Sequence, residues 1–253
     1  MYPYIEIGNI SISSYIFMAI VAFVVSTIAV VFRARSQKIS FVDILLLSLI
    51  VMLGGTFTAK LFYFVGVAIL EGQEVWTSQY WENISFTTGF VWYGGVIGAI
   101  VFTIIYAKLR SLPLKNVMDS MTPFALIFDG IARFGCLFVG CCYGKESTWG
   151  LNYNGVLRLP SPMFESVLCF IILTQVIIWK PERKYSGILL PLYLASYSLG
   201  RFVLEFFRGD ARRGFFMSLS SSQWISLLLI TVVFTWFCTQ CLRQRRKQPL
   251  TLL

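Results

Sequence analysis

The 253-residue sequence contains no histidine. Any proton transfer must therefore use another group, and the imidazole that often completes a zinc site is missing. Charge is scarce too: 13% of the residues are Asp, Glu, Lys or Arg, whereas soluble domains carry about 25%. That shortfall argues against a soluble fold and for a membrane protein. The opening MYPYIEIGN has no Lys or Arg, and the first apolar run is longer than a cleavable signal needs, so no signal peptide is read there. Internal repeats and low-complexity tracts are missing as well, and no soluble domain stands out. The chain reads as one polytopic membrane domain, residues 1–253, and the lack of repeated halves argues against a transporter.

Apolar residues are abundant: 57% of the chain is hydrophobic and the mean hydropathy is +0.73. A span needs roughly 20 mostly apolar residues. Seven such runs predict an all-α bundle of seven transmembrane helices, at about 12–32, 41–69 (broken by Gly54, Gly55 and Lys60), 87–107, 121–141, 162–179, 188–207 and 222–242. The connections RARSQK, KLRSLPLK and KPERK and the tail RQRRK fall on one side and hold 13 Lys and Arg, against five on the other side. Because Lys and Arg are retained in the cytoplasm, the N-terminus is expected outside and the C-terminus inside. The net charge of +9 and pI of 9.4 then reflect topology, with no nucleic-acid partner, and the basic tail is suited to anionic membrane lipids. Trp76, Trp81, Trp92 and Trp149, near span ends, read as interfacial anchors.

Two stripes of ions interrupt these runs. Tyr193, Tyr197, Arg201, Glu205 and Arg208 follow one another by four, four, four and three residues; Asp129, Arg133, Cys136 and Gly140 by four, three and four. Each set lies along one helix face. An ionisable group at membrane depth costs at least about 2.5–3.5 kcal/mol on insertion scales, so it usually faces a protein interior or a watery cavity. One reading is a network of salt bridges, Arg133 with Asp129 and Arg201 with Glu205, that pins helices together. The other starts from Arg208, for which the helix offers no acid beyond Glu205. A positive excess in an apolar bundle calls for an anion, arginine grips phosphate in two-pronged fashion, and the anion available at that depth is a phospholipid head group.

Gly94 and Gly98, four apart in WYGGVIGA, suit close helix packing. Gly140 and Gly144 bracket GCCYG where a span ends, as a turn or a substrate contact. Lys60 is either a paired or snorkelling lysine or another contact for lipid phosphate. Cys136, Cys141 and Cys142 have the spacing CxxxxCC, a poor zinc pattern without histidine. They read as small buried thiols, with an external disulfide as the minor alternative, and neither metal nor other cofactor is expected.

The run from DGIARFGCLFVGCCYGKESTWG through LPSPMFESVL to YLASYSLGRFVLEFFRGD resembles the prolipoprotein diacylglyceryl transferase family, as do ISISSYIFMAIVAF at the start and FVWYGGVIGA in the third run. The likeness covers nearly the whole chain in order. It implies transfer of the diacylglyceryl group of phosphatidylglycerol to the lipobox cysteine of signal-peptide-bearing prolipoproteins, giving a thioether and glycerol phosphate. The setting would be the bacterial cytoplasmic membrane, with the active site towards the outer leaflet. Arg133 falls on the arginine of the family's G-R-x-G-N-F signature; Arg201, Glu205 and Arg208 fall on R-F-x-x-E-F-F-R. Tyr15 matches an early tyrosine, Gly144 the glycine closing the signature, and Glu165 the glutamate of H-P-S-Q-x-Y-E.

The chain departs from the pattern at several points. Cys136 stands for Asn, Cys141 for Glu, Ala132 for the first glycine, Tyr93 and Leu159 for the two histidines, and Pro162 for Gln. The chemistry survives them on paper. Arginines placed where charge develops on a leaving phosphate supply what is usually the largest catalytic term, and a cationic field favours the thiolate. The expected catalytic residues are Arg133, Arg201, Glu205, Tyr93 and Tyr15, and the lipid-binding residues Arg133, Arg201, Arg208, Gly144 and Lys60. Rival expectations are a non-catalytic or transporter-like protein that binds phospholipid head groups and a family member dedicated to one special acceptor.

Overall fold

The computed structural model describes residues 2–8, 10–36, 39–71, 91–178, 187–209 and 215–247. Trp76, Trp81 and the KPERK connection lie outside the described residues. Two compact units make up the chain, one of residues 1–26 with 121–253 and one of residues 27–120.

Seven helices run through the described residues: α1 (Ser14–Ser36), α2 (Phe41–Glu71), α3 (Trp92–Leu109), α4 (Leu114–Val139), α5 (Ser161–Ile178), α6 (Leu189–Glu205) and α7 (Ser221–Lys247). Six of them are long and apolar enough to cross a membrane; α6, 17 residues long and the bearer of Arg201 and Glu205, is not among the six. Large apolar side chains point outward from these helices: Leu53, Phe57, Leu228 and Phe234 are each more than 60% exposed. A helix apolar on all faces belongs in lipid, and this one chain presents far more exposed apolar surface than a soluble monomer does.

The unit of residues 27–120 rests on α2 against α3. Contrary to the expected break, α2 runs unbroken through Gly54, Gly55 and Lys60, because the two glycines serve the approach of α3. The close fit is tightest at Gly98, where an added Cβ would stand 1.8 Å from Thr58 Oγ1. Gly94 is similarly pressed, against Phe62 and the Thr58 carbonyl, so the WYGGVIGA glycines do serve packing. At the other end of the pair, Tyr106 donates to Asp43 Oδ1 at 2.9 Å and Arg110 Nε reaches the same oxygen at 3.0 Å.

Helix α4, whose first residues belong to the unit of residues 27–120 and whose remainder belongs to the other, starts seven residues earlier than the hydropathy suggested. Pro113 opens it, its carbonyl accepting from the Asn116 and Val117 amides. Pro123 sits inside the helix, as membrane helices tolerate. Among the described residues are three short antiparallel hairpins, the first preceding α1 and the other two between helices: β1 (Tyr4–Ile7) with β2 (Ile10–Ser13), β3 (Glu146–Tyr153) with β4 (Val156–Arg158), and β5 (Phe215–Phe216) with β6 (Leu219–Ser220). An all-helical reading misses them. The second turns at Asn154-Gly155, both with positive φ (51° and 89°), and Asn152 Oδ1 accepts the Gly155 amide at 2.7 Å. Asn-Gly is the strongest short signal for such a turn.

Gly98→Ala is expected to lower stability by about 1–3 kcal/mol, the usual cost of overpacking. Thr58→Ala on that background should recover part of it, because it removes the nearest atom. Thermal unfolding of the two variants in detergent checks this; equal melting points for Gly98→Ala and the parent would contradict the packing.

Candidate active site

The ions of α4, α5 and α6 meet at one carboxylate. Glu165, in the second turn of α5, is fully buried. Its Oε2 lies 2.8 Å from Arg133 of α4; its Oε1 pairs with Arg201 of α6 and lies 2.5 Å from Arg208. Arg133 also pairs with Asp129 at 3.3 Å, and Arg201 with Glu205 at 2.9 Å, each one helical turn away. Tyr197 accepts a hydrogen bond from Arg133 at 3.4 Å, and Cys169 donates to Asp129 at 3.4 Å. The helices that carry these groups are close-fitted: Ser166 donates to the Gly130 carbonyl at 2.7 Å, tying α5 to α4.

This geometry corrects the charge count. Arg208 does have an acid, Glu165, on another helix. The cluster holds three guanidinia and three carboxylates, so the positive excess inferred from the helix stripe is not there among the described residues. A scan for partners four residues away cannot find a counter-ion 43 residues away in sequence. Both helix-pinning pairs form, and Glu165 joins them into one network.

Arg208 sits beyond the last residue of α6. The chain tightens after Glu205 into successive i→i−3 bonds, the Arg208 amide donating to the Glu205 carbonyl at 3.2 Å, which keeps Arg208 on the Arg201 face. The GCCYG turn then holds it from the other side. The Lys145 amide donates to the Phe207 carbonyl at 2.9 Å and the Gly209 amide to the Tyr143 carbonyl at 3.2 Å, so that Gly144 and Arg208 face each other as an isolated antiparallel bridge. Gly144 itself donates to the Leu159 carbonyl at 2.8 Å, and a Cβ there would lie 2.6 Å from Leu159 Cβ. Glycine is needed for this backbone approach, which positions Arg208.

Tyr15 of α1 packs against Gly135 of α4 and lies within electrostatic reach of Arg133, Asp129, Cys136 and Cys141. Arg133, Arg201, Arg208, Glu205, Tyr15 and Gly144 are thus all brought to one end of the first unit. Tyr93 and Lys60 belong to the second. Tyr93 stacks edge-on with Trp92 at 5.0 Å, and the Lys60 ammonium lies over the rings of Tyr63 and Phe64, 5.1 and 5.2 Å from their centroids.

The sulfur atoms of Cys136, Cys141 and Cys142 all lie within 4.8 Å of one another. The turn after α4 brings them together by carrying Gly140 and Cys142 at positive φ, 79° and 58°. Cys141 donates to the Cys136 carbonyl at 3.6 Å. The neighbouring thiols of Cys136 and Cys141, and after them Arg208 and Arg133, hold the pKa of Cys142 far below the usual thiol value. Cys136 pulls Cys141 down, but Cys142 and burial outweigh it and push that thiol up to about 11.

Six apolar helices long enough to cross a membrane mark a multi-pass membrane protein, and its first unit holds a buried arginine–carboxylate cluster. The family can be stated as well: residues 3–239 match the model of the prolipoprotein diacylglyceryl transferase family, and the chain belongs to it. Among curated relatives, the phosphatidylglycerol–prolipoprotein diacylglyceryl transferase of Clostridium tetani is 26% identical over 85% of this chain and 88% of its own length. The protein named phosphatidylglycerol–prolipoprotein diacylglyceryl transferase 2 in Clostridium perfringens is 27% identical over 89% of this chain and 90% of its own. The Campylobacter curvus protein of the same enzyme name reaches 34% identity over 56% of this chain and 54% of its own.

Glu165→Gln is expected to be the most destabilising conservative change in the cluster. It leaves three buried arginines with two carboxylates, and breaking a buried pair by removing one partner costs about 3–5 kcal/mol. Melting temperatures in detergent check this: Glu205→Gln, which touches one arginine, should fall less. The reverse order would contradict Glu165 as the hub.

Proposed function

We propose that the protein transfers the diacylglyceryl group of phosphatidylglycerol to the lipobox cysteine thiol of signal-peptide-bearing prolipoproteins. The observation that carries this reading is the convergence of Arg133, Arg201 and Arg208 on the single carboxylate of Glu165, in a chain of this family. Three guanidinia directed at one anion make the fork-like grip that suits a phosphate. Glu165 takes up one nitrogen of each guanidinium, and each guanidinium has five N–H donors, so a phosphodiester can enter beside the carboxylate while Glu165 stays paired.

The reaction is a displacement at carbon. The acceptor sulfur attacks the glyceryl carbon esterified to phosphate, its proton passing to Tyr93, Glu205 or the departing phosphate, and a C–S bond forms as the C–O bond breaks. The electron pair leaves with the phosphate oxygen, giving glycerol phosphate and a thioether on the acceptor. Arg133 and Arg201 meet the charge that builds on the leaving phosphate, where preorganised donors act most strongly. Glu205 holds Arg201 in its rotamer, Arg208 binds the head group, and Gly144 acts through Arg208. Tyr15 lines the reacting centre, Tyr93 stands in for the family's histidine before the double glycine, and Lys60 is a further cation for lipid phosphate. The nucleophile is the acceptor's thiol: a thioether on one of the enzyme's own cysteines would be too stable to pass its alkyl group on.

The same reading makes the chain a single polytopic domain of seven spans in the bacterial cytoplasmic membrane, N-terminus outside, C-terminus inside and active site towards the outer leaflet. Residues 142–161 should then be labelled from the outside by membrane-impermeant reagents; protection there would put the site on the wrong leaflet for a secreted acceptor.

A second reading draws on the balance of three arginines against three carboxylates: the network pins helices, and the protein binds lipid without turning it over. Turnover of labelled phosphatidylglycerol by purified variants separates the two. Arg201→Lys keeps the charge and loses the fork, so activity should fall by on the order of 10²–10³, the effect of one lost transition-state donor. Arg208→Ala should raise KM and leave kcat, the mark of binding energy shared by ground and transition states. The double variant Arg201→Met with Glu205→Gln should be folded and inactive. Near-parental turnover per folded molecule would establish pinning and end the phosphate grip.

A further inference from the structure

The chain carries no histidine, and it gathers three cysteine sulfurs at the end of α4 and in the turn after it that the proposed transfer leaves without a role. We propose that Cys136, Cys141 and Cys142 form a zinc site with an open fourth position that receives the acceptor thiol. The proposal deepens the transferase reading and rests on it for the identity of that thiol.

Geometry comes first. Three sulfurs within 4.8 Å of one another stand close to tetrahedral metal spacing, since a Zn–S bond of about 2.3 Å sets neighbouring sulfurs roughly 3.8 Å apart. The sulfurs come from the end of α4 and the turn that follows, and that turn is tied down by the backbone bonds of Tyr143, Gly144 and Lys145 to Leu159 and to the Phe207–Gly209 segment. A cluster held this firmly is preorganised.

A second observation is independent of the sulfurs. The hydroxyl of Tyr153 on β3 is buried and has no hydrogen-bond partner among the described residues, and its electrostatic neighbours are Cys141, Cys142 and Cys136. A buried hydroxyl seldom goes unsatisfied. A polar occupant of the fourth metal position, water or a thiol, would meet it. Beside the turn lies a cavity of about 510 Å³, bounded in part by Pro3, Gly140, Tyr143, Tyr153 and Arg158, through which a peptide segment can approach.

Charge agrees. The carboxylates of the arginine cluster already balance its three guanidinia, so three thiolates need a cation of their own. Zn²⁺ leaves one net negative charge, which Arg208 and Arg133, both within electrostatic reach of Cys142, can face; a monovalent ion would leave two. Three cysteines and one exchangeable position also match the pattern of zinc sites that act on substrate, as opposed to closed four-ligand structural sites.

Such a centre does the work of the missing base. The acceptor thiol binds as thiolate and releases its proton to solvent; the sulfur's lone pair attacks the glyceryl carbon, the C–O bond breaks towards phosphate, and the neutral thioether, a weak ligand, leaves. With a free pKa of about 8.5, a thiol is only about 3% ionised at pH 7, so full ionisation on the metal is worth up to about 30-fold in rate.

Cobalt makes the site visible. Full-length protein, purified in detergent under reducing, oxygen-free conditions, should bind one equivalent of Co²⁺ with sulfur-to-cobalt charge-transfer absorption that Zn²⁺ displaces. The band should disappear in the variant carrying Cys136→Ser, Cys141→Ser and Cys142→Ser, and weaken in Cys142→Ser alone, which replaces a less buried side chain. A lipobox peptide should shift the visible bands, and the same peptide with serine for its cysteine should not. A missing band, one that persists in the triple variant, uptake of Cu⁺ with exclusion of Co²⁺ and Zn²⁺, or bands indifferent to the thiol peptide would each overturn the proposal. Turnover separates the two readings: a protein that binds metal and thiol yet never transfers lipid would sink the transferase, whereas undiminished transfer by the triple variant would sink the zinc site alone.

Discussion

One buried carboxylate ties together the helices that carry the arginines of the first unit. Glu165 sits at 0% exposure, in a region where an unpaired charge is prohibitively costly, and it persists as an ion because Arg133, Arg201 and Arg208 surround it. Desolvating four ions is expensive, and such networks seldom add net stability over a well-packed apolar core. What the network does supply is position. It fixes α4, α5 and the end of α6 relative to one another, and it aims three guanidinia at one point. Arrangements that cost stability and fix geometry are the usual signature of a site.

The GCCYG turn is the second constraint, and it depends on the first. Arg208 reaches Glu165 only because Gly144, Lys145 and Gly209 lock the backbone on either side of it. The same turn gathers three sulfurs. Cys136, Cys141 and Cys142, which stand apart in sequence, thus converge beside the arginine cluster.

Much of this was legible in the residues, for physical reasons. Lipid demands long apolar runs, so helices α1 to α7 could be located; their ends could not, because apolarity fades gradually and local chemistry decides. Pro113 starts α4 seven residues before the apolar run becomes convincing, and Gly54 and Gly55 look like breakers until α3 is laid against them. The i,i+4 pairs Asp129–Arg133 and Arg201–Glu205 were readable from helical spacing, whereas Glu165 as the shared partner was not, since its arginines lie on other helices. The Asn154-Gly155 turn was present as a signal and went unread among the apolar runs. That Cys136, Cys141 and Cys142 bring their sulfurs together could not be read from CxxxxCC spacing, because the positive φ of Gly140 and Cys142 sets the turn that gathers them.

The account stands on the claim that an arginine-held phosphate leaves as a thiol takes its place on carbon. Purified protein with phosphatidylglycerol labelled separately in its acyl chains and in its head group, together with a lipobox peptide, measures that directly. Acyl label should appear on the peptide and head-group label in free glycerol phosphate, one for one and at the same rate. Head-group release without peptide labelling, or lipid that binds and is recovered intact after prolonged incubation with peptide, would contradict it.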